Sequence, residues 1–474
     1  VAAYVLAAPF IALALAWKLL IVTGRLTGRL LIVLLSLLVL GLSPCLGASA
    51  RPVRQSMRGG VIPLLFGRHA ADDEPEPEPE PEPVVVAPVP EPVDVVAPEP
   101  EPVIALEPEP VASEPTVVRE LHPFEAPVLG WSKATGEEVR WHPAGAGRTV
   151  LQNGHTEIWG SSGMGKTQFV MALLAQLAHH SGSRFSIADF KNDYSAQTGF
   201  PQLTGASFVD LWNEGAAYNP LALDGDDDSQ RAIETAVIEL RDVVDEAASA
   251  FGRLGRRQRT KLETFLTRAY ELRETEDRWP TLRDLNGFLD ADLDGVLGDL
   301  TRHELFRSGP PLGNVIDENV VFGLSRIPGN GQTTVLAAGF ILSSLLTKIQ
   351  NLPPVPNTIR HLTVIDEAHR ISPFRAVQTM VREARSKGAA VLLATQQPQD
   401  LPDVVAANAQ TKICFGLPDA AAATVAARRL DPDSPRLTEQ IRSLPAGEAF
   451  VSFAGQRPMR LRMAQAWRDQ TLVA

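Results

Sequence analysis

Hydrophobic and polar positions divide this 474-residue chain into three stretches. Two apolar runs open it: 1–23, interrupted only by Lys18, and 30–50, which carries no charge. About 20 helical residues span roughly 30 Å of hydrocarbon, so each run is long enough to cross a bilayer. From 72 to 120 no apolar period survives, and Glu-Pro repeats alternate with short Val/Ala blocks. Beyond 121, short apolar runs alternate with amphipathic ones. Strands are predicted at 155–159, 185–189, 319–323, 362–366, 389–395, 412–416 and 449–453, with helix-like sequence between most of them. That alternation predicts an α/β fold in which a mostly parallel sheet carries helices on both faces. Between about 224 and 310 the sequence turns charged and amphipathic, above all at 229–250 and 256–273. We read this part as a helical insertion.

The first predicted strand runs into Gly160-Ser161-Ser162-Gly163-Met164-Gly165-Lys166-Thr167, and a helix-like run begins at Gln168. The segment fits G-x-x-x-x-G-K-[ST] in the strand–loop–helix setting which that motif needs. Glycines let backbone N–H groups converge on phosphate oxygens, and the helix N-terminus adds the positive end of its dipole. Lys166 is placed to reach the β- and γ-phosphates of a nucleotide, with the Thr167 hydroxyl on Mg²⁺. We take Gly160 to Gln168 as the nucleotide-binding residues. Two hundred residues on, the apolar strand at 362–366 ends in Asp366-Glu367-Ala368-His369. Here Asp366 would hold Mg²⁺ through water, and Glu367 would act as the general base on the attacking water. A glutamate directly after the aspartate points to ATP hydrolysis, not to a nucleotide switch.

Charge separates along the chain in a way that sharpens this division. Residues 1–71 contain seven Lys/Arg and no acid, residues 72–120 contain fifteen acids and one arginine, and the net charge is −12. The boundaries that follow are a two-helix membrane anchor at 1–50, a basic juxtamembrane segment at 51–71, a Glu/Pro-rich disordered spacer at 72–120 and the motor at 121–474. Arg25, Arg29 and Ala48-Ser49-Ala50 also imitate a secretory signal with its cleavage site. Cleavage there would leave an ATPase where it has no ATP, so a transmembrane hairpin with both ends cytoplasmic is the preferred reading. Arg51, Arg54, Arg58 and Arg68 suit an inside flank; the arginines in the short turn do not. Prolines remove backbone donors and glutamates repel, so the spacer cannot build a core and favours an extended form of about 3.1 Å per residue. Docking of a proline-reading domain is the other reading of that stretch. Two cysteines, Cys45 and Cys414, exclude a disulfide framework and read as small apolar residues. In the insertion, Arg253, Arg256, Arg257, Arg259 and Lys261 form either a solvated helix face or a nucleic-acid contact.

Five motifs occur in order: Ile158-Trp159-Gly160 to Lys166-Thr167, Asp189-Phe190-Lys191-Asn192-Asp193-Tyr194, Tyr218-Asn219-Pro220-Leu221, Ile365-Asp366-Glu367-Ala368-His369-Arg370 and Leu393-Ala394-Thr395-Gln396-Gln397-Pro398. Together they resemble the FtsK–HerA superfamily of hexameric pumping ATPases, in its HerA-like and type IV secretion coupling branches, over roughly 125–470. The resemblance implies a RecA-like P-loop NTPase fold and a homo-oligomeric ring, most simply a hexamer. It also implies ATP and Mg²⁺ as cofactors, and an arginine finger supplied by the neighbouring subunit. Arg385 matches the finger position best and Arg382 second, although Ala384 stands where the family pattern has glycine. Gln396 matches the sensor position, where an amide reports on the attacking water and the γ-phosphate. His369 is a structural or coupling residue; Asp189 and Lys191 have no assigned chemistry. The anchor is more similar to FtsK and the coupling ATPases than to soluble HerA. This places the chain in the bacterial inner membrane with its ATPase domain cytoplasmic. Two functions are expected from the resemblance: DNA translocation, as in conjugation or chromosome transfer, or energising a protein-secretion channel or its assembly.

Overall fold

The computed structural model describes residues 126–143, 151–224, 229–249, 254–287, 289–329, 331–355, 358–372, 374–454 and 456–472. The anchor, juxtamembrane segment and spacer expected at 1–120 lie outside the described residues, as does Arg253.

One eleven-stranded sheet forms the body. Its strands are β1 Val128–Ser132, β2 Glu138–Arg140, β3 Thr156–Trp159, β4 Arg184–Asp189, β5 Ser207–Asp210, β6 Asn319–Gly323, β7 His361–Ile365, β8 Ala389–Thr395, β9 Thr411–Phe415, β10 Glu448–Phe453 and β11 Met459–Met463. They lie side by side in the order β2-β1-β11-β10-β9-β3-β8-β7-β4-β6-β5. From β9 to β5 every pairing is parallel; from β9 back to β2 every pairing is antiparallel. The expected α/β fold with a mostly parallel sheet is therefore observed, with an antiparallel extension that the sequence did not announce. Strands 319–323 and 389–395 begin and end where predicted, and the other five predicted strands shift by about one residue.

Side chains alternate across the parallel strands, as a period of two requires. Ile158, Val364, Leu392 and Ile413 enter one core, while their neighbours Trp159, Ile365, Leu393 and Cys414 enter the other. Helix α1 (Lys166–Gln176) covers the first face with Phe169, Val170, Leu173 and Leu174. Helices α2 (Gln230–Ser249), α3 (Arg256–Tyr270) and α4 (Ala291–Arg302) lie between β5 and β6 in the chain and join the second core, together with α5 (Gln332–Asn351). Helix α5 is the one helix among the described residues long and apolar enough to cross a membrane. Its side chains from Thr333 to Leu342 are buried inside the protein, which accounts for that composition. In the insertion, Arg259 pairs with Asp245 at 2.8 Å and Lys261 pairs with Asp290, so part of the basic run is neutralised within the domain.

The sheet also buries a charge. Glu157 on β3 is fully enclosed, and neither of its carboxylate oxygens has a hydrogen-bond partner among the described residues; Lys412 is its register neighbour on β9. Burial pushes Glu157 from 4.5 up to about 7, although Arg429 and Lys412 pull it back. The folded state therefore keeps a proton that the unfolded chain releases, and stability falls as pH rises between those two values. Glu157→Gln removes this titration. Its stability relative to the parent is expected to rise between pH 5 and pH 8 by on the order of 2 kcal/mol. Unfolding curves of both chains at the two pH values check this; identical pH dependence would mean that Glu157 stays charged beside Lys412.

Candidate nucleotide site

Chain direction places the site. Strands β3, β4, β7 and β8 run parallel, so the loops at their carboxyl ends all open on one edge of the sheet, where α/β folds bind ligands. The glycine loop leaves β3 and enters α1. Gly165, at the helix N-cap, has φ 100°, and a side chain there would meet the Gln465 amide at 2.5 Å. A Cβ on Gly160 would come within 2.6 Å of Phe415 on β9. Both positions need glycine. No side chain caps α1 and no acid lies in its first turn, so its leading N–H groups point into the loop without an internal partner. Lys166 is buried and donates to the carbonyl oxygens of Gly160 and, at 3.0 Å, Ser161. Burial and the nearby Lys191 hold its ammonium below the ordinary lysine range, against the pull of Asp366, Glu367 and Asp193.

The neighbouring strand ends supply the acids. Asp366 follows β7 directly; its Oδ1 accepts the Glu367 N–H at 3.1 Å, and its Oδ2 is buried with no hydrogen-bond partner among the described residues. Burial pushes Asp366 up to about 7, with Asp193, Asp189 and Glu367 adding repulsion and Lys191 opposing. Glu367 sits in the left-handed region at φ 57°. Its Oε1 pairs with the Lys191 ammonium and accepts the Gln396 amide at 3.5 Å, while its Oε2 faces His369 Nδ1 at 3.3 Å. Burial alone would raise Glu367, but Lys191, Gln396 and His369 outweigh it and hold the carboxylate below the usual glutamate range.

The loop after β4 ties these halves together. The Asp189 carboxylate accepts the backbone N–H groups of Lys191, Asp193 and Tyr194 at 3.0, 3.2 and 3.0 Å. So held, the loop presents Lys191 to Glu367 and Asp193 to Thr167, whose hydroxyl donates to Asp193 Oδ2 at 3.3 Å. Asp193 and Lys191 were both noted from sequence within a motif, without a role. The available signal was a strand ending in an aspartate with Asn192 and Asp193 close behind it, the pattern of a side chain capping its own turn.

The oxygen set suits a hard cation. The unpartnered Asp366 Oδ2, the Asp193 carboxylate and the Thr167 hydroxyl are the ligand types Mg²⁺ takes, usually one or two protein groups completed by phosphates and water. Consistent with so few protein ligands, no group of three His, Cys, Asp or Glu side chains able to hold a metal occurs among the described residues.

Of three other expected residues, Gln168 stays beside the loop in the first turn of α1, while Arg385 and Arg382 lie away from it. The Gln168 side-chain oxygen accepts the Trp467 N–H at 3.3 Å and its carbonyl accepts the Ala466 N–H at 3.1 Å, so this residue anchors the carboxyl-terminal segment. Arg385 is exposed in the turn Ala384–Lys387 that precedes β8, and Arg382 is exposed in the last turn of helix α6 (Arg375–Glu383). Gln396 leaves the far end of β8. Seven strand residues at about 3.3 Å each put Arg385 on the order of 20 Å from its own chain's nucleotide loop.

A glycine loop between a parallel strand and a helix, with paired carboxylates on a nearby strand end, defines the P-loop NTPase fold. Residues 360–466 match the family described as helicase HerA-like C-terminal. Among solved structures the chain is similar to VirB4 of Thermoanaerobacter pseudethanolicus, with TM-score 0.57 and 16% identity, covering 72% of this chain and 97% of that one. It is also similar to the bacterial conjugative coupling protein TrwB, with TM-score 0.49 and 15% identity over 72% of this chain and 96% of that one. TrwB in complex with ADP and Mg²⁺ gives TM-score 0.48 and 15% identity over 73% and 96%. No curated protein sequence matches the chain. The match over 360–466 bears out the HerA-like resemblance, and the likeness to VirB4 bears out the fold.

Proposed function

We propose that this chain is a membrane-anchored, ring-forming ATPase that couples ATP hydrolysis to DNA translocation. The observation that carries the reading is the convergence of Lys166, Thr167, Asp366 and Glu367 on one edge of the sheet, with Lys191, His369 and Gln396 around the Glu367 carboxylate. In this reading the loop N–H groups and Lys166 bind the triphosphate. Thr167 and Asp366, joined by Asp193, would hold Mg²⁺, which when bound would neutralise phosphate charge. Glu367 takes the proton of the attacking water. Lys191 keeps Glu367 ionised and, as a part-exposed ammonium on a loop pinned by Asp189, can transfer its contact from the carboxylate to an arriving phosphate. Gln396 touches Glu367 and is exposed, which suits a sensor of the γ-phosphate. The helicase family matched by residues 360–466 supports DNA as the cargo. Arg385, exposed and far from its own chain's loop, suits action on a neighbour's nucleotide in a homo-oligomer. In the same reading 1–50 anchors the chain in the inner membrane, 51–71 is a basic juxtamembrane segment, 72–120 is a spacer and 121–474 is the cytoplasmic motor.

The test is ATP hydrolysis by the full-length chain with and without single- and double-stranded DNA. Hydrolysis that Lys166→Ala lowers by roughly 10²–10³ is expected, since a charge aimed at the transferring phosphate is removed. DNA should accelerate the parent. Hydrolysis indifferent to every DNA added would overturn the cargo and leave the ATPase, with protein export as the remaining reading.

A further inference from the structure

Beside the nucleotide loop lies a cavity of about 410 Å³, a volume within the ~300–1,000 Å³ of small-molecule sites. Two other spaces among the described residues are removed from the loop. One, of about 380 Å³, lies between the insertion and α5 around Asp224 and Lys348. The other, of about 820 Å³, opens where β9 begins, around Lys412 and Asp431, at the sheet edge opposite the loop. The 410 Å³ cavity is different in position. One wall is the start of α1, through Gln168 and Met171; a second is the segment carrying Phe200 and Leu203; the third is the carboxyl-terminal segment, through Trp467 and Gln470. Gln168 directly follows Thr167, so this cavity starts where the phosphate loop ends.

Trp467 is out of place as a structural residue. With Ile238 it is one of two large hydrophobic side chains exposed among the described residues, at 62%. An exposed indole that merely filled surface would be free to turn, but this one is fixed. Its Nε1–H donates to Gln465 Oε1 at 2.8 Å, its backbone N–H donates to Gln168 Oε1 at 3.3 Å, and Arg468 lies 5.7 Å from its ring centroid. Gln465 in turn packs its amide against Gly165 and Gly447, and the Gly447 N–H donates to the Met164 carbonyl at 3.0 Å. The indole is thereby linked to the phosphate loop through Gln465 and held in place before any ligand arrives. A flat, fixed, solvent-facing aromatic opposite an apolar wall is what a nucleobase stacks on; tryptophan gives the largest such face.

We propose that Trp467 and this cavity bind the purine base of the nucleotide whose phosphates occupy the Gly160–Thr167 loop. The inference rests on the nucleotide reading above and adds the base-binding end of that site. The carboxyl-terminal segment then belongs to the nucleotide site, and Gln168 serves it by holding that segment in place. Its side chain keeps Trp467 beside α1, so that the base lies against Met171 and Phe200 with the phosphates one turn away.

The test compares ATP with inorganic tripolyphosphate, which carries the phosphates and no base. Both are titrated into the full-length parent, Trp467→Ala and Trp467→Phe. Trp467→Ala is expected to weaken ATP roughly 5- to 100-fold, the range for loss of one stacked aromatic, and to leave tripolyphosphate within about twofold. Trp467→Phe, which keeps a ring, should recover most of the ATP affinity. Tryptophan emission of the parent should be quenched by ATP, and Trp467→Phe should lose that quench while still binding. If ATP affinity in Trp467→Ala equals the parent's while both chains bind tripolyphosphate, the base site is overturned and the nucleotide reading stands. A parent that binds neither compound overturns both. Equal loss of ATP and tripolyphosphate in Trp467→Ala would overturn the base site too, by making Trp467 a support for the phosphate loop.

Discussion

A Glu367→Gln chain is expected to bind ATP as tightly as the parent and to hydrolyse it roughly 10²–10⁴-fold more slowly, the usual loss for a positioned acid–base group. Glutamine keeps the volume of the side chain and can still meet Gln396 and His369, so the pocket around residue 367 should keep its shape. What it loses is the negative charge that pairs with Lys191 and the ability to take a proton from water. The direction of the Glu367 shift sets the pH dependence. Because Lys191, Gln396 and His369 hold the carboxylate below the ordinary glutamate range, it is ionised throughout the neutral region. Turnover by the parent should therefore not fall for want of this base until well into acid. Binding and single-turnover hydrolysis, measured separately, decide the matter. Hydrolysis by Glu367→Gln at the parental rate would leave Glu367 as the electrostatic partner of Lys191 and no more.

Legibility followed contiguity. The glycine loop is read from eight successive residues, and the carboxylate pair from the short run Leu362 to Ile365 with two acids behind it. Lys166, Thr167, Asp366, Glu367 and Gln396 were grouped from sequence, and parallel pairing of β3, β7 and β8 brings their strand ends to one edge. Parallel strands buried on both faces read as unbroken apolar runs, which is why 319–323 and 389–395 were bounded correctly. The missed strands have other reasons. Edge strand β5 has only four residues, β1 and β2 lie at the far antiparallel edge, and β11 alternates Met459, Leu461 and Met463 with Arg460 and Arg462. Those arginines are balanced by Glu448 and Asp469 across the fold, which no local pattern shows. The same applies to the site. The Lys191–Glu367 pair, the Asp193–Thr167 hydrogen bond and the contact of Gln465 with Gly165 join residues that only the sheet order brings together. Gln168 was grouped with the phosphate-binding residues because it follows the motif, yet its side chain turns to Trp467.

Arg385→Ala is expected to bind ATP normally and to lose roughly 10³–10⁵ in turnover, the range an arginine finger supplies. The planar guanidinium can spread its donors over the charge that develops on a transferring phosphate, which lysine cannot match. The geometry makes the prediction specific to an assembly. Arg385 stands at the start of β8 and the nucleotide loop at the end of β3, so within one chain the two occupy opposite edges of the sheet. Only a neighbouring copy can bring this arginine to a nucleotide, and parental activity should rise with protein concentration as copies assemble. Mixed assemblies give the more decisive result. An Arg385→Ala chain has an intact Glu367 but offers no finger; a Glu367→Gln chain offers the finger but has no base. Where the first holds the nucleotide and the second is the neighbour that reaches it, one complete site is restored, and a mixture of two nearly inactive chains should regain part of the parental rate. Recovery should peak near equal amounts and vanish on dilution below assembly. If mixed assemblies form, by mass, and no activity returns, Arg385 has no part in a shared site, and exposed Arg382 in the last turn of α6 becomes the residue to exchange in the same design.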